Sequence, residues 1–221
     1  MGKKKRKKAM RRRAGPGQER RPVPAVTGGV QLYSYDISYD PIDDGVSLPP
    51  ALEAQAEALY ALIHEHTEEA IPKLEALWAA YPDVPMLGNW LSSAYVKAGD
   101  DEKARALAVE NYEKNPEYLF ARLNYAEMCL QSADYAEIPR IFNRKYDLKL
   151  LYPDRQVFHI SEVVGFMGIL GAYFADTEAY ETAAQYHKIL GEIEPDHPQT
   201  RRLGLKLLPY RIKKMFRGGR F

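Results

Sequence analysis

Histidine and cysteine are the residues of this sequence whose types could support chemistry. His64 and His66 lie two positions apart, so on a helix their rings diverge by about 200°, whereas a helical zinc motif places its two histidines four positions apart. Cys129 stands between Met128 and Leu130 in a helical pattern, with no neighbouring base or cation to activate a thiolate. We expect a solvated turn at the histidines and a buried thiol, and we predict no catalytic residue, metal site or cofactor.

Three glycines at regular spacing are the next candidates. Gly165, Gly168 and Gly171 could suggest a phosphate-binding loop, but they recur every three residues within a continuous helical pattern. That spacing favours close packing between helices. The remaining histidines, His159, His187 and His197, share no spacing with a nucleophile, so the sequence predicts that the protein is not an enzyme.

Two basic ends flank an acidic middle. Residues 1–21 hold eleven Lys and Arg and one acid, residues 201–221 hold eight and none, and residues 22–200 hold 12 basic and 29 acidic residues. The N-terminal run could neutralise nucleic-acid phosphates without reading sequence; it consists of Lys3, Lys4, Lys5, Arg6, Lys7, Lys8, Arg11, Arg12 and Arg13. Solubility, or attraction of the ends to the acidic middle, is an equal alternative.

Length and composition bound the class of protein. A chain of 221 residues suits one domain with tails, and no stretch approaches the roughly 18 apolar residues of a membrane span. Its single cysteine favours a reducing compartment, and the basic start lacks the apolar stretch of a secretory signal. We expect the cytoplasm, or the nucleus if the organism is a eukaryote.

Four segments differ in composition. We predict a disordered basic tail over 1–29, an extended segment and linker over 30–50, a helical domain over 51–207 and a basic C-terminal tail over 208–221. Alternate aromatic and apolar residues predict a strand in the second segment, at Tyr33, Tyr35, Ile37 and Tyr39. We expect this strand to dock in a groove of the helical domain or along its first helix pair. The alternative is a strand offered to the sheet of a partner.

Prolines at similar settings divide the helical domain. Pro82, Pro116 and Pro195 each follow a helical run, and the first two are 34 residues apart, the period of a tetratricopeptide repeat. Gly99-Asp100 provides a turn in the second period, and Ala104 and Ala183 are small residues where two helices would touch. The sequence resembles the tetratricopeptide repeat family, most closely over 85–116 and 164–195 and less closely over 51–82 and 119–153.

The resemblance implies an all-α fold of about four antiparallel helix pairs, stacked as a solenoid with a groove. In the groove positions of the family this sequence has mostly apolar residues: Leu59, Met86, Asn89, Trp90, Ser93, Phe120, Leu123, Asn124 and Glu127. This sequence departs from the family pattern at the tryptophan of each repeat, which is replaced in turn by Ala54, Gly88, Arg122 and Met167. Pro72 and Pro139 predict a kink or a delayed start in two of the second helices.

This resemblance implies a non-catalytic scaffold or adaptor that binds another protein or a peptide. The alternative is a nucleic-acid-associated or ribosome-associated factor that its basic tails hold on RNA or DNA.

Overall fold

A computed structural model of the protein describes residues 32–40 and 50–218, and this part is mostly helical. In chain order its elements are β1 (Asp36–Ser38), α1 (Pro50–Glu65), α2 (Thr67–Ala80), α3 (Pro85–Ala98), α4 (Asp101–Lys114), α5 (Leu119–Gln131), α6 (Ile138–Ile141), α7 (Leu148–Leu151), β2 (Val157–His159), α8 (Ile160–Asp176), α9 (Tyr180–Ile193), α10 (Pro198–Lys206) and α11 (Leu208–Gly218). The basic run from Lys3 to Arg13 and most of the predicted linker lie outside the described residues.

Prolines and local caps set the helix ends. α2, α4 and α9 each end two residues before a proline that the sequence singled out, namely Pro82, Pro116 and Pro195, so these predicted ends are confirmed. Gly99 ends α3 with a φ of 78°, a conformation that glycine adopts without strain. The side chain of Asp100 then accepts a hydrogen bond from the backbone of α4. Because only two residues join α3 to α4, the two contacting helices run antiparallel.

The helices stack in two layers. α1 contacts α3, α3 contacts α5, α5 contacts α8 and α8 contacts α10, so these five helices lie side by side in a first layer. α2, α4 and α9 form the second layer, since each packs against the helices before and after it in the chain. The first layer therefore has one face against the second layer and one face available for other contacts.

Small residues lie where neighbouring helices cross. Ala104 in α4 and Ala183 in α9 are completely buried, each within a hydrophobic cluster. Gly168 and Gly171 of α8 face α10, and a Cβ atom built at Gly171 would come within 2.3 Å of Cδ2 of Leu203. The prediction that these residues serve helix packing is confirmed.

The third predicted helix pair lacks its second helix. Residues 132–159 form turns, the four-residue helices α6 and α7, and β2, so the second helix that the resemblance implies for 119–153 is wrong. The physical reason is a backbone that repeatedly leaves the helical region, with positive φ values of 57°, 52° and 56° at Ala133, Asn143 and Arg144. Pro139 is the second residue of α6, where a proline is tolerated.

Two predicted helix starts also need correction. α8 begins at Ile160 and not at Val164, because His159 and Glu162 form a capping box in which the backbone N of His159 donates to Oε2 of Glu162 at 2.8 Å. α2 begins at Thr67 with Pro72 inside it. Of the two effects predicted for this proline, a kink or a delayed start, the delayed start does not occur.

The predicted strand docks far from the expected place. β1 pairs in parallel with β2, with Ile37 opposite Phe158, and the ring of Tyr35 packs edge-on against Phe158 at 5.0 Å. The backbone N of Tyr33 donates to Oδ2 of the buried Asp147 at 3.1 Å. The segment therefore belongs to the core around α8, and its expected position in the groove or along the first helix pair is wrong. The irregular stretch between α5 and α8 contains the strand with which β1 pairs.

The C-terminal residues also differ from the expected tail. α11 covers most of residues 208–221, and its helix follows α10 with only Leu207 between them. Leu207 is fully buried in the core around α8. The basic C-terminal segment is therefore helical as far as Gly218, and the buried Leu207 attaches it to the body.

Candidate protein-binding surface

A groove runs between α3 and α5 on the free face of the first layer. Its volume is about 190 Å³. The lining residues are Ser92, Ser93, Val96, Asn124, Glu127, Met128 and Gln131. They recur at three- and four-residue intervals, which place them along one side of each helix. We call this site the α3–α5 groove.

The nine residues predicted for the groove occupy three kinds of position in the structure. Ser93, Asn124 and Glu127 line the α3–α5 groove. Four others are partly buried on the same two helices, Met86, Asn89, Trp90 and Phe120. Leu59 and Leu123 are buried in the protein. The groove is consequently more polar than expected, because helical periodicity turns its most apolar predicted residues toward the core.

An aromatic pair extends this surface toward α1. Tyr60 is half exposed, and its ring lies 6.0 Å from that of Trp90 and 4.7 Å from that of His64. Aromatic rings of this kind present a large apolar area at a small cost in conformational entropy. The Tyr60–Trp90 pair is therefore an apolar contact surface beside a polar groove.

Hydrogen bonds hold the polar side chains of the groove in place. Asn89 is the common acceptor: its backbone oxygen accepts from Oγ of Ser93 at 2.9 Å and from Nδ2 of Asn124 at 3.4 Å. Lys97 is held by α1, since its Nζ donates to the carbonyl oxygens of Ile63 and His64 at 3.1 and 2.7 Å. Side chains held before binding lose less entropy when a ligand arrives.

An ion pair marks the other side of the groove. Glu127 of α5 pairs with Arg202 of α10, which lies 75 positions later in the chain. Nε2 of Gln131 also donates to Glu127, at 3.4 Å. The carboxylate of Glu127 is therefore largely neutralised, and a ligand in the groove would meet hydrogen-bonding groups and not an isolated negative charge.

Cys129, the candidate nucleophile, is buried as predicted. Cys129 is completely buried, and desolvation by burial together with the charge of Asp134 raises the pKa of its thiol to about 11. A hydrogen bond with Tyr125 and the charge of Arg105 oppose this shift without cancelling it. The thiol thus remains protonated at neutral pH and packs as a small apolar group.

Four of the five histidines lie at the ends of helices. His64 lies in the last turn of α1 and His66 precedes the first residue of α2, so the predicted turn at these two histidines is confirmed. His159 and His197 accept hydrogen bonds from the backbone at the starts of α8 and α10. Over residues 32–40 and 50–218 no group of three or more potential ligands could hold a metal ion, and no helix there is long and apolar enough to cross a membrane.

Some residues of this surface carried no usable signal in the sequence. Arg202 reaches the groove only because α10 packs on α8, and its sequence context is a basic stretch like others. Tyr60 lies on the helix face next to the predicted positions.

Comparisons with known proteins do not assign the chain to a family. No family model and no curated protein matches it. Among solved structures, it is similar to one described as "MamA RS-1 ArsTM double mutant", with 14% sequence identity, 76% of this chain and 98% of that chain covered, and a TM-score of 0.46. That likeness assigns neither a fold family nor a function, so the function must be inferred from the geometry.

Proposed function

We propose that residues 50–207 form a solenoid of tetratricopeptide-like helix pairs and that this solenoid is a protein-interaction module. It binds an extended segment of a partner protein in the α3–α5 groove, between the Tyr60–Trp90 pair and the Glu127–Arg202 ion pair. The observation that carries the proposal is the groove itself, with hydrogen-bonding side chains already held in place at the junction of two first-layer helices.

The chemistry of the groove supports a peptide as the ligand. Ser93, Asn124 and Gln131 offer both donors and acceptors, which suits the amides and carbonyls of an extended backbone. The adjoining Tyr60 and Trp90 rings supply apolar area for one or two side chains of the partner. The paired Glu127 supplies no free charge, so we do not expect selection for a strongly charged peptide.

The test is a selection of peptide ligands against the full chain, followed by titration of the recovered peptides. Ser93→Arg fills the groove from an exposed position and leaves the core untouched. Ala106→Arg introduces the same side chain at an exposed position of α4 and serves as the control. We expect Ser93→Arg to weaken binding by about tenfold or more, the loss of one hot-spot contact, and Ala106→Arg to leave it unchanged.

Two results would contradict the proposal. The first is a set of peptides whose affinity is equal for the wild type and Ser93→Arg. The second is the recovery of no peptide that binds the wild-type chain. Far-UV circular dichroism of both variants should match the wild type, which separates loss of the groove from loss of the fold.

A further inference from the structure

α11 is attached to the body through its polar side. The ring of Tyr210 stacks on Tyr180 with centroids 5.2 Å apart and planes 14° apart, and its hydroxyl donates to Oε1 of Glu181 at 3.0 Å. A guanidinium nitrogen of Arg211 lies 3.0 Å from Nδ1 of His187. All three partners belong to α9, so Tyr210 and Arg211 hold α11 to the protein.

The apolar side of the same helix faces solvent. Leu205, Leu208, Ile212, Met215 and Phe216 are exposed, with Met215 at 69% and Phe216 at 79%. Their spacing along α10 and α11 places them in one stripe, which we call the C-terminal stripe. Five of the ten large exposed hydrophobic residues in the described part of the chain lie in these twelve positions. Such a concentration marks an interaction surface and not the usual scatter of single apolar residues.

Basic residues border the C-terminal stripe. By helical spacing, Arg211 lies beside Met215 on one margin and Lys213 lies beside Phe216 on the other. Both are exposed, and so is Lys214. Residues 201–221 hold eight Lys and Arg and no acid. A narrow apolar face flanked by cations is the arrangement of a helix that lies in the plane of a membrane surface, where lysine and arginine reach the headgroups.

We propose that α11 binds the surface of an anionic membrane, with the C-terminal stripe inserted at the boundary between headgroups and acyl chains. The cations on its margins bind the anionic headgroups. The stacked Tyr210 and Tyr180 rings hold the helix to the body while its apolar side points outward, so the solenoid is carried on the membrane surface.

Charge and area argue against two other occupants. A second copy of the chain would bring two strongly basic helices together, and one narrow stripe on an eleven-residue helix falls well short of the roughly 800 Å² per partner that a stable interface needs. A nucleic acid would satisfy the cations but would leave Met215 and Phe216 in water. An anionic lipid surface satisfies both the charges and the apolar stripe.

The experiment measures binding of the full chain to vesicles by flotation. One vesicle type contains phosphatidylcholine alone, and the other contains phosphatidylcholine with about one third phosphatidylglycerol. We expect binding to the anionic vesicles and at least about tenfold weaker binding to the neutral ones, because each cation near an anionic surface contributes about fivefold. Binding should also weaken as salt is raised.

Three variants separate the roles of the residues. Met215→Ser with Phe216→Ser removes the most exposed part of the stripe and should weaken binding by about tenfold or more. Lys213→Gln removes a cation from one margin of the stripe and should weaken binding to anionic vesicles by about fivefold. Leu150→Ser removes an exposed apolar residue outside the C-terminal stripe and should leave vesicle binding unchanged.

Four outcomes would overturn the proposal. The first is equal binding to both vesicle types, and the second is no binding to either type. The third is full vesicle binding by the variant with Met215→Ser and Phe216→Ser. The fourth is displacement of the protein from vesicles by a single-stranded RNA, when the wild type and the same variant bind that RNA equally well. The third would show that other basic residues, such as the N-terminal run, carry the attraction. The fourth would show that the cations serve nucleic acid.

Discussion

Replacing Gly171 by alanine tests how closely α8 and α10 pack. In a helix interior alanine is favoured over glycine by about 0.8–1 kcal/mol. The added Cβ of Gly171→Ala, however, would come within 2.3 Å of Cδ2 of Leu203 and within 3.3 Å of Cβ of Tyr186. Leu203 is buried, so it cannot turn into solvent to make room. Overpacking of this kind costs about 1–3 kcal/mol, and we expect a net loss of up to about 2 kcal/mol in the free energy of unfolding.

Gly191→Ala is the matched control. Gly191 lies in α9, and a Cβ built there meets no atom within 4 Å. The same substitution should therefore stabilise the protein, by about 0.4–1 kcal/mol. Since the preference of the helix for alanine is common to both variants, the difference between them isolates the overpacking, about 1–3 kcal/mol.

Thermal unfolding followed by far-UV circular dichroism measures this difference. For a chain of this length 1 kcal/mol shifts the melting temperature by about 2–4 °C, so Gly171→Ala should melt about 2–12 °C below Gly191→Ala. Chemical denaturation gives the free energies directly. Equal shifts in the same direction for both variants would refute the close packing of α8 against α10.

Three further substitutions test the packing of α4, the docking of α11 and the docking of β1. Ala104→Leu overpacks a completely buried crossing and should cost about 1–3 kcal/mol, whereas Ala106→Leu, on the exposed side of the same helix, should stay within about 0.5 kcal/mol in chemical denaturation. Burial, and then the charge of Arg211, lower the pKa of His187, so the unfolded chain binds a proton on this imidazole more readily than the folded chain does. Stability should therefore fall as the pH drops below about 6.5. The melting temperatures at pH 7.5 and pH 5.5 should differ by more in the wild type than in His187→Gln. The hydroxyl of Tyr35 is buried with no hydrogen-bond partner among the described residues, so Tyr35→Phe should raise the free energy of unfolding by about 1 kcal/mol, and a clear loss of stability would show that this hydroxyl is bonded.

Much of the helical framework could be predicted from the sequence alone. Pro82, Pro116 and Pro195 indicated the ends of three helices, and the glycine and alanine positions indicated where helices cross. These features are predictable because a helix forms through hydrogen bonds between residues four apart and ends where a proline or glycine disrupts them. The candidate site was predictable only in part: the resemblance to tetratricopeptide repeats implied Ser93 and Asn124 as groove residues, but it also implied Leu123, which is buried in the core.

Only the tertiary structure decided the contacts between distant parts of the chain. Alternating residues predicted the strand β1, but its partner is a strand about 120 residues later, in the stretch between two of the predicted repeats. The Glu127–Arg202 pair joins two helices that the sequence separates. The C-terminal helix shows the reason most clearly. Its sequence determines that it has an apolar side and a basic side, whereas the tyrosine stack and the polar groups of α9 determine that the side carrying Tyr210 faces the protein and the apolar side faces outward.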